Sequence, residues 1–502
     1  MENIKIYKKQ FISLLFINTI IGSNISLASY IHLPINGFKD FFAYALHFLA
    51  LQATVFGFTY VFSLHRLLYL IIFPLIYLIL SSISFWVFTQ DVSLTPGVMQ
   101  AVLETKPDIV VDLISLPLIL HFIWSLFCVI ICVNLFKRII ISSLKSPLLV
   151  VAIICIGLFY LGENIKFGIF KRRLPYSAIT ATNGYLKKPN TSFNKNIPQV
   201  SKRKDSLHVV LVLGETVRAD HLQLNNYPRE TTPLLSRSSN LMSFPNIYTP
   251  LTYTAVSLPQ ILTDASIKNK QKDPATILYS ILNRLDIHTT WLGNQSIETS
   301  YKNIVYENSD VLLIDQFHSV LSFKKLKDEE LLKSFEALSQ QETSSFTTLH
   351  MIGSHWFYDS RYPEKFKKFT PTATSKFLKS STKEELINSY DNTILYLDWF
   401  LYNLIQKVEK QDKSSLVIYL SDHGEVLGED NKWFHAQNHP AAQNPAMLLW
   451  YSKNFKKKYP ELIANLKKKQ FKRIPTDFLF HSILDLYQVK NFKYDIEESI
   501  FN

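Results

Sequence analysis

Three short apolar runs in this chain each stop at residues that can bind a metal or carry charge. Residues 207–213 run into Gly214-Glu215, residues 347–352 into Gly353-Ser354-His355, and residues 416–420 into Ser421-Asp422-His423-Gly424. One such ending says little. Three of them, bearing Glu, His and Asp-His, point to a single convergent site, because sites in open α/β sheets form at the carboxyl ends of strands. Mixed carboxylate and imidazole donors suit zinc better than magnesium or calcium. Asp422 and His423 are adjacent, so both can reach one ion only from a loop, which is where they lie. His435 follows the segment 424–434, which is long enough to fold back over a metal. Any one of these histidines alone reads as a surface residue; their joint placement carries the inference.

A covalent route also needs a nucleophile. The segment 250–262, PLTYTAVSLPQIL, offers Thr252, Thr254 and Ser257. A bound cation lowers the pKa of a hydroxyl and holds its oxygen in line. A helix starting near Ala255 would add backbone N–H groups that favour an incoming phosphate. A plain Thr/Ser helix cap would use the same residue types.

These side chains need a scaffold. The three runs, with 288–292 and 446–450, read as buried strands. Helical patterns separate them, as at 276–285 and 384–407. Alternation of this kind gives a largely parallel sheet with helices on both faces. Residues 187–206, rich in Lys, Asn, Ser and Pro, read as a linker.

Before that linker the chain changes character. Hydrophobic residues make up 47% of its 502 residues, yet the mean hydropathy is only +0.07, because an apolar first part is averaged with an ordinary α/β second part. Five stretches match or approach the roughly 20 apolar residues that span a bilayer: 11–31, 41–64, 67–88, 113–136 and a shorter one at 148–161. The first is too long for a cleaved signal peptide and four more follow it, so it reads as a retained span. Lys5, Lys8, Lys9, Arg66, Lys137, Arg138 and Lys145 fall on one side of these spans. The rule that positive loops stay inside then puts the amino end inside and the second part of the chain outside. The triplet Lys171-Arg172-Arg173 breaks the rule, which long translocated domains escape. Asn24, His47, His121 and Asn134 lie within spans and read first as hydrogen-bonding partners inside the bundle, second as a headgroup path. Residues 95–115 mix apolar and charged positions, as an interfacial helix would.

The net charge is +12 with a pI near 9.2. Nucleic acid is one partner such charge can serve. Anionic headgroups fit better, since the first basic cluster adjoins a membrane anchor; a solvated surface is the plain alternative. Cys128, Cys132 and Cys155 all fall in apolar stretches, so the second part of the chain holds no disulfide.

Several long motifs stand in order here: VLVLGETVRADHLQLNNYPRETTP, TYTAVSLPQILT, LHMIGSHWFYDSRYPEKFKKFTP, LINSYDNTILYLD, YLSDHGEVLGE and FLFHSILDL. Together they resemble the phosphoethanolamine transferases of Gram-negative bacteria, within the alkaline phosphatase and sulfatase superfamily. The resemblance covers nearly the whole chain. It implies an α-helical membrane bundle of about five spans (residues 1–165), a juxtamembrane linker (166–205) and a periplasmic catalytic α/β domain of the alkaline phosphatase/sulfatase fold (206–502), in the bacterial inner membrane. It implies that Thr254 is the nucleophile, and that Glu215, Thr254, Asp422 and His423 surround a first zinc. His355 and His435 would hold the phosphate or a second zinc, and Glu425 would lie near the substrate headgroup. The implied donor is phosphatidylethanolamine and the acceptor a lipid-linked glycan such as lipopolysaccharide, with no role for nucleic acid.

The sequence departs from relatives that modify lipid A. Pro250 and Gln260 stand where many of them place a disulfide, and Ser354-His355-Trp356-Phe357 stands where many read Asn-His-Gly-Pro. Both departures look more like the branch that modifies the lipopolysaccharide core. A glycerol phosphate transferase of the same superfamily shares the spans and the threonine; the wording YPRETTP favours phosphoethanolamine. A sulfatase would need Cys or Ser, followed by Pro and Arg, where Thr254 stands. A membrane sensor with an inactive hydrolase domain is disfavoured because every ligand type is present.

Overall fold

The computed structural model describes residues 2–502 except 32, 34, 91–92, 104–113, 138–146, 166–169, 188–191, 204, 268–273, 316–324 and 339–342. The chain divides into two compact units. One ends near residue 188 and includes residues 377–379; the other takes in most of the remainder.

The first unit is built from the helices Glu2–Asn24, Phe38–Ser63, Leu68–Gln90, Leu116–Lys137 and Pro147–Ile165. Among the described residues, Phe38–Ser63, Leu68–Gln90 and Leu116–Lys137 are long and apolar enough to cross a membrane, and Pro147–Gly162 is a shorter apolar helix. The expected first span starts earlier than residue 11, and its opening turns carry Lys5, Lys8 and Lys9, which dilute its apolarity. The start of the expected fourth span, together with Arg138 and Lys145, lies outside the described residues. Large apolar side chains face outward, Phe38 at 77% exposure and Leu46 at 71%. An apolar surface of this extent belongs in lipid, and the protein is an integral membrane protein.

Inside this unit Asn24, His47 and His121 hydrogen-bond to other side chains of the bundle, which is the first of the two readings above. Asn24 Nδ2 donates to Tyr77 Oη at 2.8 Å and Ser81 Oγ at 2.9 Å. His121 Nε2 lies 2.9 Å from Ser81 Oγ, and His47 Nδ1 lies 2.6 Å from Tyr30 Oη. Of the expected interfacial segment 95–115, residues Pro96–Leu103 form a helix, and 104–113 lie outside the described residues. The helix Tyr176–Leu186 also belongs to this unit: Tyr176 Oη meets Thr54 Oγ1 at 2.8 Å and its ring packs on Phe159.

Among its described residues the second unit holds nine strands: β1 (His208–Gly214), β2 (Leu241–Ser243), β3 (Ile247–Tyr248), β4 (His288–Gly293), β5 (Asp310–Leu313), β6 (Ser345–His350), β7 (Ser415–Ser421), β8 (Met447–Tyr451) and β9 (Ile474–Pro475). Seven make one sheet in the order β2-β8-β7-β1-β6-β4-β5; β3 and β9 form a small parallel pair. The run from β7 to β5 is parallel, and β8 is antiparallel to both its neighbours. β1 and β7 are buried along their whole lengths. Val209, Leu211 and Leu213 face the helices Leu278–Arg284 and Phe478–Leu486, while Val210 and Val212 face Lys383–Glu409 and Glu329–Ala337. Sheets covered on both sides read as continuous apolar runs, and each buried Val or Leu contributes about 1.5–3 kcal/mol. β2 and β5 were not expected. They are short edge strands, and β5 alternates between exposed and half-buried residues.

Register brings the three chemical endings level. Gly214 pairs with Ser421, and Leu213 pairs with both His350 and Leu420. Glu215, the turn before His355, and Asp422 therefore leave the sheet side by side.

Candidate active site

Two glycines allow this crowding. A Cβ on Gly214 would lie 2.1 Å from Tyr419 Oη, and Gly353, at φ +58°, packs against the Glu215 backbone, where a Cβ would lie 2.9 Å away. Ser354 N donates to the Glu215 carbonyl at 3.0 Å. Thr216 N donates to Asp422 Oδ1 at 3.3 Å and Val217 N to Ser421 Oγ at 2.8 Å, which stitch the loop after β1 to the loop after β7.

Thr254 is the first residue of the helix Thr254–Ile261, and Tyr253 occupies the cap position without a side-chain cap. The hydroxyl of Thr254 is therefore not the helix cap. It donates to Glu215 Oε2 at 2.8 Å, next to the amide end of the helix, which attracts anions. Ser257 Oγ donates more weakly to Asp422 Oδ2, at 3.4 Å. Thr252 contributes its carbonyl, which accepts from Ala436 N at 2.6 Å and ties down the loop carrying His435.

His423 Nδ1 donates to the Gly424 carbonyl at 2.8 Å, which turns Nε2 into the site. That nitrogen lies 3.3 Å from Glu215 Oε1 and 3.2 Å from Asp422 Oδ2. His435 Nδ1 lies 3.3 Å from Glu425 Oε2. The His435 ring sits 4.6 Å from that of His423 and 5.6 Å from that of His355, centroid to centroid. The structure thus gathers all seven expected residues around one centre.

Glu215, Asp422, His423 and Glu425 are buried. Burial would raise the Glu215 carboxyl, but the His423 hydrogen bond and charge hold it well below the usual carboxylate range. Burial and the neighbouring Glu215 push Asp422 up to about 7. Burial would lower His423, but Asp422 and Glu215 hold it up at about 10. Two carboxylates around one imidazole make a site that takes up a positive charge, as a proton or as a metal ion.

The donor set fits a metal. Glu215 Oε1 and His423 Nε2 are buried, and beyond the long contacts within this cluster neither has a hydrogen-bond partner among the described residues. Two ligands held at about 2.0–2.1 Å by one tetrahedral ion stand roughly 3.3–3.4 Å apart, close to the 3.3 Å between these two atoms. Glu215, His423 and His435 each offer a ligand atom within 4.8 Å of the others.

Some participants were missed. Gln295 Nε2 donates to Glu215 Oε2 at 3.0 Å, the same oxygen that Thr254 uses, and to the Met351 carbonyl at 2.6 Å. Its signal was present, since the run 288–292 also ends in Gly293-Asn294-Gln295. The YPRETTP wording serves the scaffold. Tyr227 Oη and Arg229 Nη1 both donate to Asp391 Oδ2 at 2.9 Å, and His221 Nδ1 lies 2.8 Å from Asp391 Oδ1. Thr231 Oγ1 donates to the His221 carbonyl.

Residues 208–489 match the sequence model of the family described as Sulfatase. The phosphoethanolamine transferase EptA of Escherichia coli K12 is 34% identical over 316 residues, covering 60% of this chain and 56% of that protein. The chain therefore spans little more than half the length of that curated relative. Among solved structures, the integral membrane lipooligosaccharide phosphoethanolamine transferase A (EptA) from Neisseria meningitidis superposes with a TM-score of 0.79 at 26% identity, covering 97% of both chains. The periplasmic domain of EcEptC from Escherichia coli, in complex with Zn, gives a TM-score of 0.54 at 25% identity, over 61% of this chain and 90% of that one.

Proposed function

This chain belongs to the sulfatase family, and from that premise we propose that it transfers phosphoethanolamine from phosphatidylethanolamine to a lipopolysaccharide or a related lipid-linked glycan, through a phosphothreonine at Thr254. The observation that carries the reading is the contact of Thr254 Oγ1 with Glu215 Oε2, inside the cluster that also holds Asp422 and His423. The names of the E. coli and Neisseria relatives support the group transferred, and the Neisseria name supports a lipooligosaccharide acceptor.

Glu215, Asp422 and His423, with Thr254, would hold a zinc ion, and His355 and His435 line the side where phosphate or a second ion would sit. Bound there, zinc supplies Lewis-acid stabilisation and lowers the pKa of a hydroxyl. Glu215 Oε2 and Gln295 keep the threonine oxygen oriented. Thr254 Oγ1 bonds to phosphorus, giving up the proton it directs at Glu215 Oε2, as the P–O bond to diacylglycerol breaks and the departing glycerol oxygen takes up a proton; the amide end of the helix would favour the phosphoryl oxygens. An acceptor oxygen then takes the phosphoethanolamine and frees the Thr254 hydroxyl. Glu425 Oε1, buried and unpartnered beside His435, suits the ammonium of ethanolamine better than the neutral hydroxyls of glycerol.

Mass spectrometry of envelope glycolipids should show added phosphoethanolamine only in cells carrying the gene product. Added glycerol phosphate instead would favour the glycerol phosphate rival.

We also propose that the catalytic unit lies on the periplasmic face of the inner membrane. The Lys/Arg distribution supports this, as does the membrane unit that precedes the catalytic one. A reporter fused after Leu186 should behave as exported. A cytoplasmic signal would reverse the topology and separate the site from the acceptor.

A further inference from the structure

We infer that Arg361 is a positioning residue that acts through His355; the inference rests on the transferase reading above. Arg361 follows the loop after β6 and is only 4% exposed. Its Nε donates to the His355 carbonyl at 2.8 Å and its Nη2 to the Trp356 carbonyl at 2.6 Å. His355 Nδ1 lies 2.7 Å from that same Trp356 oxygen. A carbonyl only accepts, so the proton is on Nδ1 and Nε2 is directed away from it. One planar guanidinium thus grips two consecutive carbonyls, and the second of them fixes the tautomer and rotation of the His355 ring.

The rest of the turn is held from the opposite side. Asp328 accepts from Ile352 N at 3.0 Å and from Gly353 N at 2.9 Å. Ser354 N donates to the Glu215 carbonyl, and Ser354 Oγ meets Thr393 Oγ1 at 2.6 Å. These contacts fix the turn up to Ser354, and Arg361 grips the carbonyls of the two residues that follow. Asp328 and Glu215 are the carboxylates whose charge sustains the buried cation. Burying a guanidinium is unfavourable unless it is hydrogen-bonded and balanced, and here it is both. A lysine ammonium would keep the charge but lacks the planar fork that spans two carbonyls.

His355 lies beside the Glu215, His423 and His435 group, with its ring 5.6 Å from that of His435. Its usefulness therefore depends on where the turn holds it. Misplacement by about 1 Å can cost on the order of 100-fold in rate.

The test is a double-mutant cycle on the purified, zinc-loaded full chain, assayed with phosphatidylethanolamine and an envelope glycolipid acceptor. Arg361→Lys should lower kcat by roughly 10- to 100-fold, with KM for the donor and bound metal per chain unchanged. In a His355→Ala background the same change should add almost nothing, because both act through one ring. Arg361→Gln, which keeps one amide donor, runs through the same cycle if the lysine variant does not fold. Losses that multiply in an active enzyme overturn this inference alone, as does a wild-type kcat in Arg361→Lys. A wild type that transfers no phosphoethanolamine overturns the transferase reading and this inference with it.

Discussion

Thr254→Ala abolishes headgroup transfer, with a loss on the order of 10³-fold or more, while the protein stays folded. Losses of that size are usual when a nucleophile is removed. The fold should survive because the side chain is small, stands at the first turn of its helix without capping it, and donates only one hydrogen bond, to Glu215. Thr254→Ser retains the hydroxyl but loses the methyl group that restricts χ1, so it should keep part of the activity. Thr252 and Ser257 are the controls. Thr252 contributes a carbonyl that substitution leaves in place, and the Ser257 hydroxyl makes only long contacts, with Asp422 and with the Thr254 carbonyl, each at 3.4 Å. Both alanine variants should remain active. A dead Ser257→Ala beside an active Thr254→Ala would move the nucleophile one helical turn along. The assay is release of diacylglycerol from phosphatidylethanolamine, with circular dichroism to confirm the fold.

The double variant Asp422→Ala, His423→Ala should lose its metal and with it all transfer. The wild type, purified in detergent and dialysed, should retain zinc by elemental analysis. Removing the two side chains deletes the paired ligands at the end of β7 and takes from the buried Glu215 its hydrogen-bonded imidazole partner. Breaking a buried charge pair in this way costs about 3–5 kcal/mol, so the thermal midpoint should fall as well. Full metal retention in the double variant would refute the assignment of these ligands. Zinc lost from the wild type on dialysis, with transfer persisting, would remove metal from the account.

Much of this site could be read in advance because the sheet is parallel and buried on both faces. Such strands appear in sequence as unbroken apolar runs, and their ends mark the side where chemistry can occur. Glu215, Asp422 and His423 follow directly from β1 and β7, and the level register of Gly214 with Ser421 makes them neighbours. Thr254 could not be separated from Thr252 and Ser257 by residue type alone; the family resemblance singled it out, and the helix start at Thr254 distinguishes the three. Gln295, Asp328 and Arg361 escaped for a different reason. Their roles are hydrogen bonds to groups 24 to 80 positions away for the first two, and to main-chain carbonyls for the third; the strand that ends at Gly293 marks the place of Gln295, but no local pattern marks the contacts themselves. The edge strand β2 is three residues long, too short to mark itself as a run, whereas β5 lies in the apolar run Val311-Leu312-Leu313-Ile314 and was legible.

The central claim is the covalent intermediate, and one measurement addresses it directly. The wild type is incubated with phosphatidylethanolamine in mixed micelles without acceptor, quenched in acid, digested and analysed by mass spectrometry. The account predicts a phosphoethanolamine mass on the peptide that contains Thr254, absent from Thr254→Ala and removed when acceptor is added before the quench. No adduct on that peptide, with transfer still running in Thr254→Ala, would contradict it and leave direct transfer from donor to acceptor as the mechanism.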